Sequence, residues 1–201
     1  MKKGIKEYYD DTAEEWAEEW YKDETMLPFL IKCKSYLNTN DKVLDLGCNS
    51  GYETQRMKKL GLNPIGLDFS STSIEIAKEK NKDIEFYCDS MLNDLTYLGK
   101  FKAVIAIASI IHIKEEDLEL CFKRIYDILE ENGYLFMVVR SEEGKLEASY
   151  KTINNIEYDR EVYGYSKDLL ETKMNSKFSF IKEEIAHDKH WKYYFYQKNT
   201  N

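Results

Sequence analysis

The turn Asp45-Leu46-Gly47-Cys48-Asn49-Ser50-Gly51 carries the residue types best suited to chemistry in this chain. A short apolar run, Val43 to Leu46, leads into it and a helical pattern follows. That strand, glycine turn and helix is the geometry by which α/β proteins bring backbone amides close to a nucleotide-like ligand. A second carboxylate, Asp68, ends another apolar run, and the pair suggests a cofactor that carries a ribose. A dinucleotide fingerprint requires G-x-G-x-x-G, but Asn49 stands where the middle glycine would lie. A pyrophosphate needs that glycine for close backbone approach, and Asp45 just before the turn would repel it. A carboxylate there suits a cofactor with a positive group. Further along, His112 follows an apolar run, and imidazole is the side chain best suited to proton transfer near neutrality.

Positioning these groups requires strands that end together. From residue 42 onward the pattern alternates strand and helix. Strands are expected at Val43–Leu46, Pro64–Leu67, Ile84–Cys88, Ala103–Ala108 and Tyr134–Val139. Helices are expected at Tyr52–Leu60, after Ser70 or Ser71, and at Glu115–Leu129, where Leu118, Cys121, Phe122, Ile125 and Leu129 keep helical spacing. Such a rhythm gives an open, doubly wound parallel sheet with right-handed crossovers. After a polar, tyrosine-bearing stretch (141–165) and a short helix at Lys167–Met174, two strand-like runs follow, Phe178–Ile185 and Trp191–Gln197. They are joined by His187-Asp188-Lys189-His190, which reads as a hairpin turn. Before the core, Thr12-Ala13-Glu14-Glu15 reads as a capping box that starts a helix bearing Trp16 and Trp20 on one face, and a second helix covers Leu27–Leu37.

Composition limits the function classes. A chain of 201 residues is long enough to bury its own core. Its net charge of −8 argues against sequence-independent nucleic-acid binding, which depends on neutralising phosphates. Cys33, Cys48, Cys88 and Cys121 lack metal-type spacing and read as buried free thiols in a reducing cytoplasm. No apolar run follows Met1-Lys2-Lys3 as a signal peptide would require, and none approaches the roughly 20 residues that span a bilayer.

Four segments in register resemble the motifs of the class I S-adenosylmethionine-dependent methyltransferases of the small-molecule type. They are Asp45 to Gly51, Gly66-Leu67-Asp68-Phe69-Ser70, Cys88-Asp89-Ser90, and Ala106 to Ile113. The segment Tyr9-Asp10-Asp11-Thr12-Ala13-Glu14-Glu15-Trp16 is similar to that family's Y-D-x-x-A-x-x-Y cap, with Trp in the last place. The resemblance implies a Rossmann-like doubly wound sheet of seven strands with a terminal antiparallel hairpin and a helical N-terminal cap. Residues 1–201 would form a single methyltransferase domain, with the cap at 1–40, the cofactor-binding core at 41–140, and an acceptor-loop segment and hairpin at 141–201.

The resemblance also implies roles. The cofactor would be S-adenosyl-L-methionine and the product S-adenosyl-L-homocysteine. Asp45, Gly47, Cys48, Asn49 and Gly51 would wrap the methionine portion. Asp68 would accept the ribose hydroxyls, Phe69 would flank the adenine, and Asp89 with Ser90 would meet the adenine edge. Ala108 and Ser109 would lie under the sulfonium, and Tyr9 and Trp16 would close over the cofactor. His112 is the expected catalytic base. Tyr158, Arg160 and Tyr163, in the tyrosine-bearing stretch with Tyr150 and Tyr165, would bind the acceptor. The methyl would go to an O or N atom of a small molecule, with no metal and no membrane, in a cytoplasmic monomer or homodimer. Alternatives are an RNA-directed methyltransferase, a non-catalytic S-adenosylmethionine-binding module and a nicotinamide-dependent oxidoreductase.

Overall fold

A computed structural model describes residues 2–146, 150–186 and 188–200, with the side chain of Tyr150 outside the description. His187 therefore lies outside the described residues. The strands of the main sheet are β1 (Lys42–Leu46), β2 (Asn63–Asp68), β3 (Glu85–Cys88), β4 (Phe101–Ile107), β5 (Leu129–Arg140), β10 (Phe178–Ile185) and β11 (Trp191–Lys198). Their order is β10-β11-β5-β4-β1-β2-β3. The five strands β1 to β5 run parallel, and β11 pairs antiparallel with both β5 and β10. This is the expected seven-stranded Rossmann-like sheet with its terminal hairpin. Strand β4 sits centrally and is apolar on both faces, as a parallel strand covered by helices on both sides must be.

Among the described residues six α-helices surround the sheet: α1 (Ile5–Trp20), α2 (Leu27–Lys34), α3 (Tyr52–Lys59), α4 (Ser71–Lys80), α5 (Leu118–Ile128) and α6 (Lys167–Met174). One core packs α5 and α6 against one face, with Phe122, Ile125, Leu135 and Tyr194 fully buried or nearly so. The other packs α2 and α3 against the opposite face through Phe29, Met57, Phe136 and Phe195.

Three local readings change. Helix α1 begins a full two turns before the expected capping box. Its start is capped at Gly4, whose amide donates to Glu7 Oε2 at 3.2 Å. Thr12 is buried mid-helix and its hydroxyl turns back to the Tyr8 carbonyl at 2.7 Å, as threonine does when no orphan amide is at hand. Cys33, Cys48 and Cys121 are buried thiols, but Cys88 is exposed because β3 is the last strand of the sheet. The polar stretch after β5 is not without regular structure. It holds β6 (Gly144–Lys145) paired with β9 (Tyr163–Gly164), and β7 (Tyr150–Ile153) paired with β8 (Ile156–Asp159). Asn154 and Asn155, both at positive φ, form the two-residue turn between β7 and β8. Among the described residues no helix is long and apolar enough to cross a membrane.

Candidate functional site

The carboxyl ends of β1, β2 and β4 converge under helix α1, and a cavity of about 500 Å³ lies between them. That volume is within the range of small-molecule and cofactor sites. The turn after β1 forms its floor. Gly47, at φ +82°, donates its amide to the Leu67 carbonyl at 2.7 Å. A Cβ placed there would sit 2.3 Å from Ser109 Cβ, so only glycine fits. Ser109 is held in turn by donating to the Leu46 carbonyl at 2.6 Å. Asn49 adopts φ 47°, the left-handed conformation that asparagine tolerates better than most residues.

Asp68 closes β2 at the edge of this floor. One carboxylate oxygen accepts from the Asn49 amide and the other from the Ser70 amide, each at 2.9 Å. Burial raises its pKa, and these two backbone donors oppose the shift. The carboxylate is thus fixed in one orientation with lone pairs still available towards the cavity, which it lines.

The structure sorts the expected residues into two groups. Tyr9, Trp16, Gly47, Asn49, Asp68, Phe69, Ser90, Ala108, Ser109, His112 and Arg160 all line the cavity. Asp45, Cys48, Gly51, Asp89, Tyr158 and Tyr163 do not. Asp45 is buried behind the turn, accepts from Thr54 Oγ1 at 2.6 Å, and is pushed up to about 7 by burial. Cys48 and Gly51 face away, towards Phe86 and Ala77. The Asp89 carboxylate is occupied by Asn93, Tyr97 and the Ser90 amide. Tyr158 is buried and donates to Asp11 at 2.8 Å, so it fastens β8 to helix α1. Tyr163 stacks on Tyr165, with ring centroids 6.1 Å apart, and Tyr165 donates to the Ile113 carbonyl.

His112 meets two opposite neighbours. Its Nδ1 lies 3.1 Å from the carbonyl oxygens of both Arg160 and Glu161, so Nδ1 carries the proton. Its Nε2 lone pair then accepts from the Tyr9 hydroxyl at 2.7 Å. Glu161 holds the left-handed φ of 47°, costing on the order of 1–3 kcal/mol in a non-glycine residue. That turn delivers both carbonyls to one imidazole. Burial, with the nearby Arg160 charge, lowers the His112 pKa to about 4, so the ring is neutral at pH 7.

The opposite end of the cavity was not read from the sequence. Trp16 stacks on Trp20 at 5.7 Å and Trp20 on Tyr52 at 6.1 Å. Glu53 pairs with Arg56 at 3.1 Å, and Arg56 also donates to the carbonyls of Trp20, Tyr21 and Asp23. Glu53 Oε2 and Trp20 Nε1 are buried and have no hydrogen-bond partner, and both residues line the cavity. A free acceptor and a free donor in one cavity suit the ammonium and carboxylate of an amino-acid headgroup. With Asp68 shaped for a vicinal diol, the cavity fits a nucleoside joined to an amino acid. The spacing of Trp16 and Trp20 was the one available signal for this end.

The fold and cavity therefore define an α/β protein built to hold a nucleoside-type ligand at the carboxyl edge of its sheet. Residues 43–133 match the model of the family described as Methyltransferase domain. The chain is 29% identical over 124 residues to ubiquinone biosynthesis O-methyltransferase of Pelagibacter ubique, covering 59% of this chain and 50% of that protein. It is 32% identical over 154 residues to carboxy-S-adenosyl-L-methionine synthase of Nautilia profundicola, covering 75% of this chain and 63% of that protein. It thus spans less than two thirds of either relative. The crystal structure of an S-adenosylmethionine-dependent methyltransferase from Clostridium acetobutylicum shares the fold, with a TM-score of 0.74 at 15% identity over 96% of this chain and all of that one. Over residues 43–133 the chain is thus similar to methyltransferase domains, and it shares their fold.

Proposed function

We propose that residues 1–201 work as one methyltransferase unit that moves the methyl group of S-adenosylmethionine to an O or N atom of a small molecule. The observation that carries this reading is Asp68, a buried carboxylate oriented by two backbone amides beside the Gly47–Asn49 turn. Asp68 would hold the ribose hydroxyls. Gly47, Ala108 and Ser109 would border the sulfonium, and Phe69 and Ser90 the adenine. Glu53 and Trp20 would receive the headgroup. Bound there, the cofactor supplies a methyl on an excellent leaving group, so most of the protein's contribution is alignment of the acceptor. Tyr9 and His112 flank the acceptor side. Their hydrogen bond orients both rings. Four free cysteines fit a reducing cytoplasm, and the unit would act there as a monomer or homodimer.

Calorimetric titration with S-adenosylhomocysteine tests this reading. Micromolar binding is expected, weakened roughly 10- to 100-fold in Asp68→Asn, the range of a hydrogen bond to a charged group. Equal binding by the two proteins, or preference for NAD, would refute it.

A further inference from the structure

Of the described residues that line the cavity, Glu53 and Asp68 are acids raised by burial, Glu53 to about 7, His112 is neutral and Arg160 is the sole cation. Arginine keeps its charge at any working pH. Among the described residues Arg160 forms no salt bridge. One guanidinium nitrogen donates to the Tyr8 hydroxyl at 3.2 Å, and the group lies 5.2 Å above the Tyr8 ring. Its Nε is buried and has no partner. The guanidinium is placed by these Tyr8 contacts, and the backbone carbonyl of the same residue lies 3.1 Å from His112 Nδ1. A fixed cation with a donor to spare, walled by Ile5, Ile111 and Ile113, is arranged to receive an anionic oxygen attached to an apolar body.

We infer that the methyl acceptor is a carboxylic acid with an apolar body, anchored through its carboxylate by Arg160 and methylated to its ester. The inference rests on the methyltransferase reading above and names the substrate class of the same site. The step balances simply. One carboxylate oxygen attacks the sulfonium methyl, the new O–CH₃ bond forms, and the C–S bond breaks with its electron pair passing to sulfur. No proton leaves the acceptor, because the acid is already ionised at neutral pH. This matches the proton-handling group at hand. The His112 lone pair is occupied by Tyr9, and its low basicity makes it a weak partner for a phenol or alcohol. Arg160 retains one oxygen while the other faces the methyl.

Calorimetry at pH 7 with saturating S-adenosylhomocysteine tests the class, using benzoate, phenylbutyrate and naphthylacetate, each beside its primary amide. At least one acid is expected to bind about ten-fold tighter than its amide, the scale of a charge-assisted contact. Arg160→Gln should abolish that preference and Arg160→Lys should restore part of it. Acids and amides binding alike in the wild-type protein, no acid binding at all, or a preference that survives Arg160→Gln would each overturn the inference. The affinity for S-adenosylhomocysteine, read on the same samples, separates the two failures. If the homocysteine product binds and the acids do not, only the acceptor class falls; if it does not bind, the methyltransferase reading falls first.

Discussion

The Tyr9 hydroxyl lies 2.7 Å from Nε2 of His112, across 103 residues of chain. One hydrogen bond thus joins the first helix to the end of the central strand, and the carbonyls of Arg160 and Glu161 complete it from the other side. Replacing His112 by Gln removes the fixed ring that orients Tyr9. Turnover should fall roughly 10²-fold, the cost of a misplaced reacting group. The same change has a stability signature. His112 is lowered from 6.5 to about 4 in the fold, so the unfolded chain binds the extra proton between those values. Its contribution is fully present above pH 6.5 and lost as pH falls towards 4, by roughly 3 kcal/mol across the window. Denaturant melts of wild type and His112→Gln at about pH 7.5 and 4.5, values that span most of this window, should show a steeper acid loss for the wild type. Parallel curves would show that His112 is not held neutral.

Asp45 carries the opposite sign. Burial raises it from 3.8 to about 7, so the fold prefers its neutral form and loses stability as pH rises through that range. Asparagine keeps an acceptor for the Thr54 hydroxyl without the charge. Asp45→Asn should therefore gain stability relative to wild type as pH rises from about 5 to 7, by on the order of 2–3 kcal/mol, and level off above. A pH-independent difference in urea melts would place the carboxylate in a more solvated setting.

Gly47 has two reasons to be glycine, and they can be separated. Gly47→Ala meets Ser109 Cβ at 2.3 Å and also strains a φ of +82°. It should destabilise the protein by about 2–4 kcal/mol and abolish cofactor binding. Adding Ser109→Gly removes the clash but not the strain, so the double variant should recover most of the thermal stability while remaining about 1 kcal/mol below wild type. No recovery would mean that the backbone angle alone sets the requirement.

Tyr158 donates to Asp11, which also receives Lys3 at 2.5 Å. Tyr158→Phe leaves the ring in place and removes the hydroxyl. The expected loss is about 1–2 kcal/mol, localised to helix α1. Hydrogen exchange should show faster amides in residues 5–20 with the sheet unchanged; uniform acceleration would indicate that Tyr158 supports the whole fold.

Much of this architecture was legible because its signals are local. The run Ala103–Ala108 is apolar without interruption, as a buried parallel strand must be, and Gly47 and Asp68 stand at the ends of Val43–Leu46 and Pro64–Leu67 where the ligand edge falls. What was misread depended on distant partners. Tyr158 looked like a pocket residue because its tyrosine neighbours are polar and aromatic; its true partner, Asp11, lies 147 positions away. Glu53 was not singled out because nothing local reveals its burial or its pairing with Arg56. The Thr12 capping box was a valid motif in the wrong place, since tertiary packing extends α1 beyond it. The Asn154-Asn155 turn, by contrast, carried a local signal, the residue type that tolerates left-handed angles.

The backbone of Lys3 is threaded into the small hairpin beside the cavity. Its amide donates to the Glu157 carbonyl at 2.8 Å, and its carbonyl accepts from the Asp159 amide at 2.9 Å. The segment that leads into the first helix and the segment bearing Arg160 are therefore stitched together, backbone to backbone. Cofactor and acceptor would then share a single doorway, and neither spent cofactor nor product could depart while the other's cover stayed shut. Release of either would then require this shared cover to move.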